Sequence, residues 1–169
     1  EIKKEKKPIP VDLGFIVFNE LTYPNLINFF KELEVPFEKS DMSFSVSIQG
    51  SNIEYGGRGL KALFANKSNI FNFNFLKMIA EIISFYKSAP SLIKNNLEGE
   101  TLGSYLDKSN FSKYLVEYHI VPMVAAIWSM PFSKARDIPL KLFLNFFINH
   151  GLFKLKNRPQ WYTVTGRSR

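Results

Sequence analysis

Residues 11–19 read Val-Asp-Leu-Gly-Phe-Ile-Val-Phe-Asn, a run of β-branched and aromatic side chains broken only by Gly14. Continuous apolarity over so short a length, without helical spacing, suits a strand covered on both faces. A glycine inside such a strand marks a bulge, or a place where another backbone or a ligand comes close. The rest of the chain has to be organised around that strand.

Beyond Asn19 the chain alternates helix signals with short strand signals. Thr22-Tyr-Pro-Asn opens a helix with Pro24 in its first turn, and Leu26, Ile27, Phe30 and Leu33 recur at helical spacing until Val35-Pro36. Phe44, Val46 and Ile48 then alternate with serines, Gly50-Ser-Asn is a turn signal, and Ile53-Glu-Tyr returns, so a hairpin is expected. Tyr55-Gly-Gly-Arg-Gly lacks the spacing and setting of a dinucleotide-binding loop and reads as a turn. Phe75, Ile79, Ile82, Ile83 and Tyr86 form one face of a helix from about residue 74 to 88, stopped by Pro90. Thr101 caps a short helix, and Asn110 is expected to cap another over 111–118. The apolar stretch 119–128 holds Pro122, which implies a kink or a fresh start. A helix over 140–149 closes at Gly151, and Trp161 begins a final strand with no evident partner. The expected fold class is α+β, a single domain over 1–169 with a small, mostly antiparallel sheet and about five helices.

With 169 residues, 46% apolar and 15% aromatic, the chain has ample material for a core. The absence of cysteine excludes disulfides, thiolate metal sites and cysteine nucleophiles. The net charge of +7 is spread out, with a loose cluster at Lys154, Lys156, Arg158, Arg167 and Arg169 and no compact arginine-rich helix. That pattern does not favour nucleic acid and fits anionic lipid headgroups better. Neither a membrane-spanning run nor a signal peptide is visible, so a cytoplasmic protein, with room for membrane association, is expected. The start at Glu1 without methionine, and the strand-like segment just before the end, suggest a piece of a larger protein.

Chemistry-bearing residues are few. His119 and His150 stand far apart with no carboxylate at metal-ligand spacing, which favours structural imidazoles. Ser104, Ser129 and Ser133 lack a nucleophile-elbow setting. No catalytic residue and no metal site is assigned. Aromatic richness is the positive signal: taken singly, most of Phe15, Phe18, Tyr118, Trp128, Phe143, Phe146, Trp161 and Tyr162 are best explained as core packing, and as a set they suggest a hydrophobic cavity.

The succession Asp-Leu-Gly-Phe-Ile-Val-Phe-Asn from Asp12, then Thr22-Tyr-Pro-Asn-Leu-Ile-Asn-Phe-Phe-Lys-Glu-Leu-Glu-Val-Pro-Phe, resembles the early part of flavin-containing amine oxidase and desaturase-type oxidoreductases. Thr101-Leu-Gly-Ser-Tyr-Leu, Tyr118-His-Ile-Val-Pro-Met-Val-Ala-Ala-Ile-Trp-Ser and Pro159-Gln-Trp-Tyr-Thr-Val-Thr-Gly-Arg-Ser-Arg come in that family's order, most like its bacterial NAD/FAD-binding, amine-oxidase-like branch. The resemblance implies the substrate-binding region of an FAD-dependent oxidoreductase that takes a hydride from a substrate C–H bond. It places Gly14, Phe15, Ile16 and Val17 against the flavin. Met123, Ala126, Gln160 and Tyr162 would line the substrate cavity, leaving Trp161 to face the core.

The family's Gly-x-Gly-x-x-Gly unit, which grips the pyrophosphate, is missing upstream, and so is its C-terminal flavin-binding segment. FAD is therefore expected in the full-length protein and not in this chain alone, with the FAD-binding domain as intramolecular partner. Phe15 stands where the amine-oxidase version commonly has a second glycine, which turns the expectation from an amine toward an apolar substrate. A second reading is a non-catalytic module that binds an apolar ligand or a membrane surface.

Overall fold

The structure, a computed structural model, describes residues 17–166. Most of the opening strand, with Gly14, Phe15 and Ile16, lies outside the described residues. In order, the elements are β1 (Phe18–Asn19), α1 (Pro24–Glu32), β2 (Phe37–Ser40), β3 (Ser45–Ser47), β4 (Glu54–Gly56), α2 (Gly59–Leu63), a 3-10 turn (Lys67–Phe71) and α3 (Phe73–Leu92). Then come α4 (Leu102–Lys108), α5 (Lys113–Leu115), a π-helical segment (Val116–Ile120), α6 (Val121–Trp128), a second 3-10 turn (Phe132–Asp137), α7 (Leu140–Asn149) and β5 (Trp161–Val164). The class is α+β, with seven α-helices and two small antiparallel sheets among the described residues. The residues group into two compact units, one from 17–42 and 159–166, the other from Ser43–Arg158.

In the first unit the sheet order is β1-β5-β2. The strand that the sequence left without a partner is therefore the central one. Phe18 stands opposite Tyr162, and Phe37 opposite Val164. Side chains alternate along a strand, so Phe18, Phe37 and Tyr162 share one face, where Phe30 of α1 joins them at 5.1 Å from the Phe18 ring. Trp161 and Asn19 share the opposite face and are both buried. β2 was not legible because Glu38, Lys39 and Ser40 have little intrinsic preference for a strand. α1 begins as expected at Pro24, with Asn19 Oδ1 accepting the Thr22 N–H just ahead of it at 2.8 Å. It stops as Glu34 turns to φ 53° and Val35 N–H bonds back to the Phe30 carbonyl.

The second unit starts with the expected hairpin, β3 pairing with β4 and Val46 lying opposite Tyr55, both buried. Two expected boundaries are corrected. Pro90 does not stop α3, which runs on to Leu92. Proline removes one N–H, but Phe85, Tyr86 and Ala89 are buried ahead of that loss and hold the last turns in place. The helix after α4 is capped by Ser112 and not Asn110: Ser112 Oγ accepts the Leu115 N–H, while its own N–H and hydroxyl are bound by the Glu81 carboxylate of α3. α4 starts where the sequence put it, with Thr101 and Ser104 exchanging bonds in a capping box. α7 matches its expected bounds and ends at Gly151, φ 64°.

Gly103 of α4 lies where any side chain would collide with the second 3-10 turn. A Cβ there would stand 3.0 Å from both the Cβ and the backbone oxygen of Arg136. The neighbouring Ala135 is fully buried, and Arg136 is tied to Asp107, so the turn cannot swing aside. Gly103→Ala is expected to lower stability by about 1–2 kcal/mol even though alanine is the better helix former. Urea unfolding would show it, and an unchanged or raised midpoint would mean that the turn yields.

Of the two readings of the aromatic set, core packing describes several of its members. Phe143 is fully buried in a ring cluster with Phe147, Phe85 and Phe153, and Trp128 packs on Phe146 at 4.8 Å. Phe18 and Tyr162 pack on each other in the first unit. Phe18, Tyr118, Trp128, Phe143, Phe146 and Tyr162 each have ring neighbours within their own unit.

Candidate functional site

The second unit carries a cleft of about 400 Å³ between β3 and α6. One wall is the edge of β3. The hairpin ladder uses Phe44, bonded through its carbonyl to Gly57 N–H, and Ile48, whose N–H bonds to the Ile53 carbonyl. In an antiparallel pair the residues between those positions turn their N–H and C=O groups outward, so Ser45 and Ser47 present backbone groups at the open edge. The other wall is Pro122, Ala125 and Ala126 of α6. Ser129 then adopts φ 49°, and Met130 N–H bonds to the Ala125 carbonyl, turning the chain so that Met130 and Phe132 close one end. The lining contains no ionisable side chain, so the cleft suits an uncharged apolar group with serine hydroxyls at its rim.

Behind Phe44, whose ring meets the His119 ring edge-on at 6.0 Å, lies a buried polar triad. Pro122 cannot donate the N–H that would ordinarily bond to the Tyr118 carbonyl four residues back. Tyr55 OH donates to that carbonyl instead, at 2.8 Å. With its one proton committed there, the Tyr55 oxygen accepts from His119 Nδ1 at 2.9 Å, and Tyr86 OH, 3.0 Å away, donates to Nε2. The arrangement suits a neutral imidazole protonated on Nδ1, the charge state that burial favours. His119 comes between the tyrosines from the π-helical segment, whose extra residue per turn re-aims its side chain.

Burial, with the positive charge of Arg158 adding to it, lowers the His119 pKa to about 4. Burial raises Tyr86 to about 12, slightly opposed by Arg158, and raises Tyr55 further, with Tyr86 adding to the effect. None of the three exchanges a proton readily near neutral pH. The triad holds β4, α3 and the π segment together. His150 stacks on Phe146 at 3.9 Å, and its Nδ1 meets the Phe146 carbonyl at 2.8 Å. Among the described residues no group of His, Asp and Glu gathers to hold a metal, and no helix is long and apolar enough to cross a membrane.

The residues singled out from the sequence fall in both units. Ala126 lines the cleft. Met123, one turn away, is buried with its sulfur 3.6 Å from the Tyr86 hydroxyl. Gln160 and Tyr162 belong to the first unit: Gln160 is exposed and its amide donates to the carbonyls of Ser40 and Trp161, while Tyr162 packs on Phe18 and Phe37. Val17, half-buried, leads into β1; Gly14, Phe15 and Ile16 are outside the described residues. The serine alternation in 43–48 signalled the hairpin but not its role as a cleft wall. Tyr55 and Tyr86 carried no signal at all, since their partner His119 is 64 and 33 residues away.

The chain matches no family model and no curated protein.

Proposed function

We propose that this chain is the substrate-binding portion of an FAD-dependent oxidoreductase of amine-oxidase or desaturase type, acting on an apolar or amine substrate. The observation that carries the reading is the pairing of β1 with β5, Phe18 opposite Tyr162. β1 directly follows residues 14–17, which the resemblance puts against the flavin, and β5 begins within residues 158–162, which the resemblance puts along the substrate cavity over the ring. That reading needs segments from opposite ends of the sequence to lie close together, and the pairing of Phe18–Asn19 with Trp161–Tyr162 supports it. When bound, FAD supplies the hydride acceptor. The chain's own part is to bring backbone close to the ring at residues 14–17 and to offer an apolar, water-poor surface to the substrate.

The full-length protein is expected to be yellow as purified, with the visible absorption of a flavin. Gly14→Val should abolish that colour while circular dichroism stays native, because a branched side chain would stand where the ring approaches. Colourless, folded full-length protein would refute the reading. A cleft without any ionisable side chain also fits a non-catalytic apolar-ligand module, and colourless protein that still binds such a ligand would select that alternative.

A further inference from the structure

Phe71 and Phe73 are 90% and 77% exposed, more than any other large apolar side chain among the described residues. They are not on a frayed end. Asn72 between them caps α3 by accepting the Phe75 N–H at 3.1 Å, and its own N–H bonds to the carbonyl of Asn69, which is fully buried. The turn thus holds both rings out in water at a standing cost in apolar exposure. Leu76 and Ile83, 41% and 38% exposed, continue from Phe73 at helical spacing, so one side of α3 shows an apolar stripe to solvent.

The charge beside the Phe71–Phe73 turn is mostly positive. Between residues 58 and 77 lie Arg58, Lys61, Lys67 and Lys77, all exposed, and no acidic residue. Glu81 on α3 binds the Ser112 backbone and hydroxyl and also pairs with Lys77 at 3.9 Å, and the exposed Glu54 lies next to Asn69 of the turn, which leaves Lys61 and Lys67 as positive charges on this stretch that pair with no acidic side chain among the described residues. Protruding rings edged by cations suit insertion among anionic headgroups, the rings entering the acyl boundary and the ammonium groups sitting at the phosphates.

We propose that the turn bearing Phe71 and Phe73, with the outer stripe of α3, docks the protein on the surface of an anionic lipid bilayer. The basic cluster of Lys154, Lys156 and Arg158 has no such pair of protruding rings beside it among the described residues.

The test is co-sedimentation of the full-length protein with vesicles of phosphatidylcholine alone or mixed with phosphatidylserine. Binding is expected only to the mixed vesicles, and it should weaken as salt is raised. Phe71→Ser/Phe73→Ser should lower partitioning about ten-fold or more. Lys61→Glu/Lys67→Glu should lower it by a similar factor, about ten-fold. All four side chains are exposed, so both variants should keep the native circular dichroism. Absence of vesicle binding, or binding that the phenylalanine pair does not affect, would overturn the proposal. A dimer that dissociates in the Phe71→Ser/Phe73→Ser variant would also overturn it, by showing that a second copy covers the stripe.

Discussion

Phe85→Ala is expected to remove about 3–5 kcal/mol of stability, the range found for truncating a fully buried phenylalanine. The ring is completely buried and lies within 5.7 to 6.4 Å, centre to centre, of Phe111, Phe153, Phe143 and Tyr105. Those partners come from α4, α7 and the segments beside them, so the cavity would open where several elements meet and none could collapse into it alone. Against a usual total of about 5–15 kcal/mol, the loss is a large fraction. The urea midpoint should fall sharply with an unchanged slope. Phe71→Ala removes the same ring from a 90% exposed position and should change stability by less than about 0.5 kcal/mol. Similar effects at the two positions would mean that the aromatic cluster around Phe85 is not the packing centre of its unit.

Acid should destabilise the second unit through His119. Its pKa is about 4 when folded, against 6.5 for the free side chain, so between those values the unfolded chain binds a proton that the folded one refuses. Stability is therefore full above pH 6.5 and declines as pH falls toward 4, by about 3 kcal/mol at the lower limit. His119→Gln keeps a donor and an acceptor in the triad but does not titrate. It should cost stability at neutral pH, and the gap to the native chain should narrow by about 3 kcal/mol as pH falls from about 7 to 4. Parallel curves for the two proteins across that range would show that His119 is not held neutral by its surroundings.

Elements specified by local chemistry were legible in the sequence. Pro24 announced the start of α1, Thr101 the cap of α4, Gly151 the end of α7, and the serine alternation the β3–β4 hairpin. Elements specified by distant partners were not. β5 could be read as a strand but not as the centre of a sheet, because its neighbours β1 and β2 lie far back in the sequence. Pro90 misled because the turn before it is anchored by the buried Phe85, Tyr86 and Ala89, so the loss of one N–H does not end the helix. The aromatic residues were read both as core packing and as a cavity lining, and those whose neighbours are shown pack in the core. Rings large enough to line a pocket are equally able to fill a core, and only three-dimensional neighbours decide between the two. The cleft itself is walled largely by small and medium residues, Ala125, Ala126, Val46 and Met130 among them, whose pattern is that of any packed helix or strand.

The placement of β5 at the centre of the first sheet sets an order on folding. Gln160 and Ser40, joined by a hydrogen bond, are 120 residues apart, so closing the sheet means closing a loop of that length. The second unit is continuous from Ser43 to Arg158 and draws its core cluster wholly from that interval. During synthesis it can therefore condense while β1 and β2 still wait for their common neighbour. If the second unit condenses first, less loop entropy remains to be lost when Trp161 meets β1 and β2. The fold thus carries a built-in sequence of assembly, with the helical unit first and the three-stranded sheet last.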